Sequence, residues 1–171
     1  LLIDSGAEYN YYAADITRMF TIGKLSSEEE ALYGGLARVQ GKIVALIETP
    51  GMSLRLLHDK TIEHFTELLL DLGLLLGSFA ECMEEEDYKK FFMHGVGHWL
   101  GLDVHDIGPS LRDKESPTLS PGMCFTIEPG IYCNPNDSTI PENFRGIGVR
   151  IEDDIAITKT GVEILTGALE K

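Results

Sequence analysis

The pattern of apolar and polar positions changes twice along the chain. Apolar and β-prone residues lie on both sides of Tyr9 and Asn10, which predicts a hairpin over residues 1–21. Helical periodicity follows in the middle of the chain, and short apolar runs between glycine-rich turns follow after Phe91. A hairpin, then helices, then several strands predict an α+β fold with helices packed on one face of a mostly antiparallel sheet.

Two long helices are predicted in the middle of the chain. Ser27 with Glu30 has the form of a capping box, and the helix that it opens extends to about Thr49. Ser53 is the predicted N-cap of the second helix, and Gly73 stands where that helix should end. The apolar stripe of the second helix comprises Leu54, Leu57, Thr61, Phe65, Leu68 and Leu72.

The remaining elements are shorter. A short acidic helix is predicted around residues 79–87, and strands are predicted at residues 124–132 and 148–158. Thr160 and Gly161 form a turn into a last strand around residues 162–166.

The predicted hairpin carries two aspartates. A two-residue turn at Tyr9 and Asn10 would place Asp4 directly opposite Asp15, with Cβ atoms about 4.5–5.5 Å apart. Two carboxylates this close repel each other unless a cation lies between them or one is protonated. Two exposed acids on a solvated face are the alternative. The flanking residues are apolar and predict a largely buried ribbon: Ile3, Ala13, Ala14 and Ile16.

Three of the five histidines lie within twelve residues, surrounded by glycine: His94, His98 and His105. The i, i+4 spacing of His94 and His98 can indicate a zinc-binding helix, but the intervening glycines disfavour a helix. A lone histidine among apolar residues is usually part of the core, whereas three together favour a functional site. His58 and His64 lie off the apolar stripe of the second helix and are predicted to be surface residues.

Two glutamates late in the chain are further candidates. Glu128 ends an apolar strand just before a predicted bend. Period-two alternation places Arg150, Glu152 and Asp154 on one face of a strand. There the arginine can orient the carboxylate of Glu152, although a surface ion pair is the alternative.

Composition narrows the function classes. The chain has 28 acidic and 14 basic residues and a net charge of −14, which argues against nucleic acid or an anionic membrane as a partner. Three scattered cysteines indicate neither a disulfide framework nor a CxxC metal site, and they favour a reducing, cytoplasmic setting. The chain begins at Leu1 within a predicted strand, so we interpret it as a fragment of a longer protein.

Four sequence motifs contain the candidate residues: AADITRMF around Asp15, FFMHGVGHWLGLDVHD around His98, TIEPGIY around Glu128 and NFRGIGVRIEDD around Glu152. With Asp4 eleven residues before Asp15, the chain from Leu1 to about Thr166 resembles the pita-bread metallopeptidases. That family includes aminopeptidase P, prolidase and methionine aminopeptidase, and the motifs are most similar to the aminopeptidase P branch.

The resemblance implies a fold and a metal site. Pita-bread enzymes have two similar α/β halves around the metals. Residues 1–171 would be the C-terminal part of such a catalytic domain, without its start and without the preceding N-terminal domain. Two divalent metal ions would be bound by Asp4, Asp15, His98, Glu128 and Glu152. The ion usual in the family is Mn²⁺, and Co²⁺ or Zn²⁺ are the alternatives. Asp15 and Glu152 would bridge the two ions.

The resemblance also implies roles in catalysis. A metal-activated water would hydrolyse the bond before a proline at the second position of a peptide, with Glu128 as general base. His94 and His105 would hydrogen-bond to the substrate carbonyl, and Tyr132 would contribute to the substrate pocket. Arg150 would orient the metal ligands without binding the metal itself. A homo-oligomer is expected for the longer protein. The alternatives are a prolidase, an inactive fragment, a non-catalytic pita-bread binding module and an acidic domain with a structural calcium site, the last disfavoured by a histidine ligand.

Overall fold

The structure, a computed structural model, describes residues 1–109 and 116–171. Its helices are α1 (Ser27–Leu46), α2 (Leu54–Asp71) and α3 (Phe79–Glu84), with 3₁₀ turns at Asp87–Lys90 and Glu142–Phe144. The strands of the described residues are β1 (Leu2–Ser5), β2 (Glu8–Tyr9), β3 (Tyr12–Ala13), β4 (Ile16–Met19), β5 (Cys124–Ile127), β6 (Gly130–Tyr132), β7 (Gly148–Arg150), β8 (Asp153–Thr158) and β9 (Gly161–Ile164). No helix in this part of the chain combines the length and apolar character needed to cross a bilayer.

All strand pairs of the described residues are antiparallel, and together with the helices they confirm the predicted α+β class. Strands β5, β8 and β9 form a sheet in the order β5–β8–β9, while β1 pairs with β4, β2 with β3 and β6 with β7. Helix α1 packs against α2 and against β6 and β7. The buried side chains form one cluster, which includes Leu32, Leu36, Ile43, Leu57, Phe65, Leu69, Phe125, Ile127, Ile131, Val149 and Ile155.

An additional extended segment, residues 95–100, lies along β5 and is called the edge segment below. The main-chain N–H of Thr126 donates to the carbonyl of His98 at 2.8 Å, and the N–H of Leu100 donates to the carbonyl of Cys124 at 3.1 Å. Gly97 allows this close approach, because a Cβ at its position would lie 1.8 Å from the carbonyl oxygen of Thr126.

The helix signals were correct to within one residue at the N-caps. The capping box is formed by Ser26 and Glu29, so the predicted pair Ser27 and Glu30 is wrong by one position. Ser26 has the extended backbone of an N-cap, and its side chain accepts from the N–H of Glu29 at 3.1 Å. Ser53 is confirmed as the N-cap of α2.

The predicted hairpin register is wrong. Asn10 and Tyr11 both have positive φ, 51° and 71°, as a type I′ turn requires, so the turn is centred one residue later than predicted. Tyr9 therefore pairs with Tyr12, and Asp4 lies opposite Thr17 instead of Asp15.

The hairpin is also less buried than expected. Ile3 is 41% exposed, whereas the buried residues of β4 are the polar Thr17 and Arg18. Both side chains have polar partners at the start of β8: the Thr17 hydroxyl donates to the carboxylate of Glu152, and Arg18 forms an ion pair with Asp153 at 2.7 Å. Those partners make the burial of polar side chains favourable.

Two predicted strands are each divided. The run at 124–132 breaks at Glu128 and Pro129 between β5 and β6, and the run at 148–158 breaks at Ile151 and Glu152 between β7 and β8. Period-two alternation therefore does not continue from Arg150 to Asp154. Each break places a glutamate, Glu128 or Glu152, at a bend.

We expect Gly97→Ala to destabilise the protein by about 1–3 kcal/mol, because the new methyl group must push the edge segment away from β5. Gly41→Ala is the matched control, since Gly41 lies on the exposed side of α1 with nothing within 4 Å of the new Cβ. That change should stabilise the protein by about 0.5–1 kcal/mol. Urea unfolding of the two variants measures both effects, and equal stability of the Gly97 variant and the parent would contradict the packing described.

Candidate metal centre

The structure brings together all five residues expected to bind metal. Asp4 lies on β1, and Asp15 directly precedes β4. His98 lies on the edge segment, Glu128 directly follows β5, and Glu152 directly precedes β8. Their donor atoms, with those of His105, form three overlapping sets in which all atoms lie within 4.8 Å of one another: Asp4, Asp15 and Glu152; His98, Glu128 and Glu152; and Asp15, His98 and His105.

Asp15 reaches Asp4 even though the two are not paired across the hairpin. Asp15 lies in the break between β3 and β4, where its main-chain N–H donates to the carboxylate of Asp154 at 3.1 Å. That anchor holds the start of β4 against β8. In the observed register Asp4 pairs with Thr17, two residues after Asp15, so the two aspartates are diagonal neighbours of the hairpin, and the contact with Asp154 fixes the position of Asp15.

The geometry of His98 leaves one ring nitrogen free to bind a cation. Its Nδ1 lies 3.0 Å from the carbonyl oxygen of Trp99, which can only accept, so Nδ1 carries the hydrogen. In the neutral ring, Nε2 then has a free lone pair. This lone pair lies 3.4 Å from Asp15 Oδ2 and 3.6 Å from Glu128 Oε1. Three electron-rich atoms this close repel one another unless a cation lies between them.

Burial raises the pKa values of the glutamates. Burial and the neighbouring carboxylates raise the pKa of Glu152 to about 8, against the effect of a hydrogen bond from Thr17. Burial raises the pKa of Glu128 to about 7, although the charge of Arg150 lowers it. The pKa of Asp15 is also raised, by burial and by Asp4. The cluster therefore favours protons or other cations in its interior.

Arg150 supports the cluster through three hydrogen bonds. Its Nη2 donates to Asp4, its Nη1 to the hydroxyl of Tyr132 at 3.1 Å, and its Nε to Thr17 Oγ1 at 3.0 Å. The Thr17 hydroxyl in turn donates to Glu152 Oε2 at 2.7 Å. Arg150 therefore contacts Asp4 directly but reaches Glu152 only through the buried Thr17, which sequence reasoning did not identify.

The two other histidines of the segment flank the cluster. His94 Nδ1 lies 2.7 Å from the carbonyl of Gly95, and its Nε2 lies 2.9 Å from the Tyr132 hydroxyl. The carbonyl fixes the hydrogen on Nδ1, so in the neutral ring Nε2 accepts from Tyr132. His105 stacks on His98 with ring centroids 4.1 Å apart and has no hydrogen bond among the described residues.

The prediction that His58 is a surface residue is wrong. Its ring packs on Phe92 with centroids 5.7 Å apart, and its Nδ1 is buried without a hydrogen-bond partner among the described residues. The contact depends on the position of Phe92 beside α2, which helical periodicity cannot reveal. His64 is half-buried, and its Nδ1 lies 3.1 Å from Oε2 of Glu67.

Comparisons with known proteins agree with this geometry. The model of metallopeptidase family M24 matches residues 1–159. The chain is 44% identical over its full length to a Xaa-Pro aminopeptidase of Haemophilus influenzae and 43% identical to one of Escherichia coli. It spans only 39% and 38% of the length of these two relatives.

Solved structures give the same result. A variant of E. coli aminopeptidase P matches with a TM-score of 0.92 and 42% identity, and Pseudomonas aeruginosa aminopeptidase PepP with 0.92 and 44%. A zinc-substituted E. coli aminopeptidase P in complex with product matches with a TM-score of 0.91 and 42% identity. Each match covers 99% of this chain and 38% of the other. They confirm the expected pita-bread fold, and the chain belongs to metallopeptidase family M24.

Proposed function

We propose that this chain provides the metal-binding part of a Xaa-Pro aminopeptidase, which hydrolyses the bond between the first residue of a peptide and a proline at the second position. The observation that supports this most strongly is the convergence of four carboxylates with the free Nε2 of His98. The names of the relatives supply the substrate class. In the longer protein, residues 1–171 would be the C-terminal part of the catalytic domain.

The donor set suits two divalent ions. Asp4, Asp15, Glu128 and Glu152 would carry four negative charges when ionised, which two divalent ions balance. Asp15, His98 and Glu152 each belong to two of the overlapping donor sets, and of these three only the two carboxylates have a pair of oxygens with which to bridge two ions. Oxygen-rich ligation favours hard ions such as Mn²⁺, with Co²⁺ or Zn²⁺ as substitutes.

Bound metal ions would supply an acidified water, which is nucleophilic near neutral pH. Glu128, with its pKa raised by burial to about 7, can take a proton from this water and return it to the leaving amine. His105, which has no partner among the described residues, can donate a hydrogen bond to the substrate carbonyl.

His94 has a more constrained position. Its Nδ1 hydrogen is directed at the Gly95 carbonyl, and its Nε2 accepts from Tyr132. To donate to the substrate, His94 must share or release one of these bonds. We therefore assign the transition-state donor role chiefly to His105, and to His94 and Tyr132 the role of shaping the substrate pocket.

Glu128→Gln should reduce the hydrolysis of Ala-Pro-Leu-Gly-amide by about 10²-fold or more, because the amide cannot carry the proton. The measurement is the release of alanine in the presence of Mn²⁺, using the protein with its full catalytic domain. Glu163→Gln, a change at an exposed residue of β9, is the control and should retain activity. Full activity in the Glu128 variant, or no activity in the parent protein with any of the three metals, would contradict the proposed function.

The Thr17 hydroxyl holds one oxygen of Glu152 and leaves the other for metal. We expect Thr17→Val, which keeps the shape and removes the hydroxyl, to weaken Mn²⁺ binding by about 10-fold. Thr17→Ser keeps the hydroxyl and should restore most of the affinity. Titration with Mn²⁺ followed by electron paramagnetic resonance measures the free ion, and equal affinity of the Val and Ser variants would show that the hydroxyl does not position Glu152.

A further inference from the structure

Arg18 is a charged residue buried next to the candidate metal centre. It lies on β4, directly after Thr17, and only 6% of its surface is exposed. Burial of a guanidinium is unfavourable unless its N–H groups are hydrogen-bonded and its charge is paired. The partners of Arg18 therefore show which parts of the chain this buried charge holds in place.

The two terminal nitrogens of Arg18 bond different parts of the chain. Nη1 donates to the main-chain carbonyl of Glu152 at 2.6 Å and to that of Thr17 at 3.1 Å. Nη2 donates to the carboxylate of Asp153 at 2.7 Å and to the carbonyl of Leu169 at 3.1 Å. One planar group thus holds both the carbonyl of Glu152 and the side chain of the next residue, and it joins β4 to the start of β8.

Asp153 is itself fixed, so the guanidinium bonds a carboxylate that cannot move freely. The residue is fully buried, and both of its carboxylate oxygens accept hydrogen bonds. Oδ1 accepts from Arg18 at 2.7 Å and from the Thr166 hydroxyl at 2.8 Å. Oδ2 accepts from Gln40 on α1 at 2.8 Å and lies 2.8 Å from Nζ of Lys171. The two oxygens therefore have separate partners, and only Oδ1 faces Arg18.

Glu152 depends on β4 for the position of its main chain as well as of its carboxylate. It lies between β7 and β8, where no strand pairing holds it among the described residues. Its N–H donates to the carbonyl of Thr17 at 3.2 Å, and its Oε2 accepts from the Thr17 hydroxyl at 2.7 Å. Its carbonyl is held by Arg18. A rotation of the main chain at this bend would carry the whole side chain away from the cluster.

Building on the proposed function, we propose that Arg18 is a positioning residue for Glu152. It acts through the main-chain carbonyl and touches neither the metal ions nor the substrate. By fixing the bend, it keeps the carboxylate of Glu152 within reach of both donor sets to which that carboxylate belongs. Without this bond, the carboxylate can serve one ion well but not both.

Arg18→Lys tests this role while the positive charge is kept. The ammonium can still pair with Asp153, and the change removes no hydrogen bond of Nε, which has no partner among the described residues. A single ammonium does not reproduce the planar fork that bonds Asp153 and the carbonyl of Glu152 together. We expect the affinity for Mn²⁺ to fall by about 10-fold, measured on the protein with its full catalytic domain by electron paramagnetic resonance of the free ion.

Lys171→Met is the matched control. Lys171 bonds Oδ2 of the same Asp153 carboxylate and Oε1 of Gln40, and it makes no hydrogen bond to Arg18 or Glu152 among the described residues. Both variants should unfold at lower urea concentration than the parent, because each weakens the buried network. Only Arg18→Lys should lower the affinity for Mn²⁺, so the comparison separates positioning from general stability.

The spectrum of the bound metal gives a second readout that stability does not change. Two Mn²⁺ ions that share a bridging carboxylate are magnetically coupled, and their paramagnetic resonance spectrum reports this coupling. The coupled signal at saturating Mn²⁺ should change in Arg18→Lys and persist in Lys171→Met. Unchanged affinity and an unchanged spectrum in Arg18→Lys, or equal losses of affinity in the two variants, would overturn the positioning role.

The same measurements distinguish this role from the proposed function. A parent protein that binds two Mn²⁺ ions but does not hydrolyse Ala-Pro-Leu-Gly-amide would contradict the proposed function, and the comparison of Arg18→Lys with Lys171→Met would still decide the role of Arg18. A parent protein that binds no Mn²⁺ would overturn both.

Discussion

Electrostatic repulsion within one buried cluster is the constraint on which the site depends. Carboxylates from β1, the start of β4, the end of β5 and the start of β8 converge on the free Nε2 of a histidine. Part of the repulsion is offset by Arg150, which bonds Asp4 and, through Thr17, steadies Glu152. The rest remains, and burial together with the neighbouring carboxylates raises the pKa of Glu128 and of Glu152. Bound cations, as proposed above, would complete the charge balance of the cluster.

The three consecutive acidic residues Glu152, Asp153 and Asp154 are all buried but have different partners. Glu152 faces the cluster, and burial raises its pKa to about 8. Asp153 is equally buried, but hydrogen bonds from Lys171 and Arg18 outweigh burial and lower its pKa. Asp154 accepts from the main chain of Asp15, and burial raises its pKa to about 6. Thus Asp153 and Asp154 tie the hairpin to β8, whereas the carboxylate of Glu152 faces the cluster.

The sequence predicted what depends on local chemistry and on the order of motifs. The N-cap of α2 could be predicted because Ser53 directly precedes a run with helical periodicity. The five candidate ligands could be predicted as one set because their motifs occur in the order typical of the family. The hairpin register was not, because a left-handed Tyr11 is an unusual choice for a turn. The contacts of Thr17 with Glu152 and of His58 with Phe92 join residues far apart in the chain, 135 positions apart for the first pair, and no local pattern encodes them.

Calorimetric titration with Mn²⁺ shows whether the cluster of carboxylates and His98 binds metal ions in place of protons. Below their raised pKa values, about 7 and about 8, Glu128 and Glu152 hold protons that bound metal must displace. We expect two ions per chain, release of about one or two protons at pH 6.5, and an affinity that rises with pH up to about 8. Runs in two buffers of different ionisation enthalpy count the protons. A chain that binds no Mn²⁺, or that binds it with the same affinity from pH 6 to pH 8.5 and without proton release, would contradict the account.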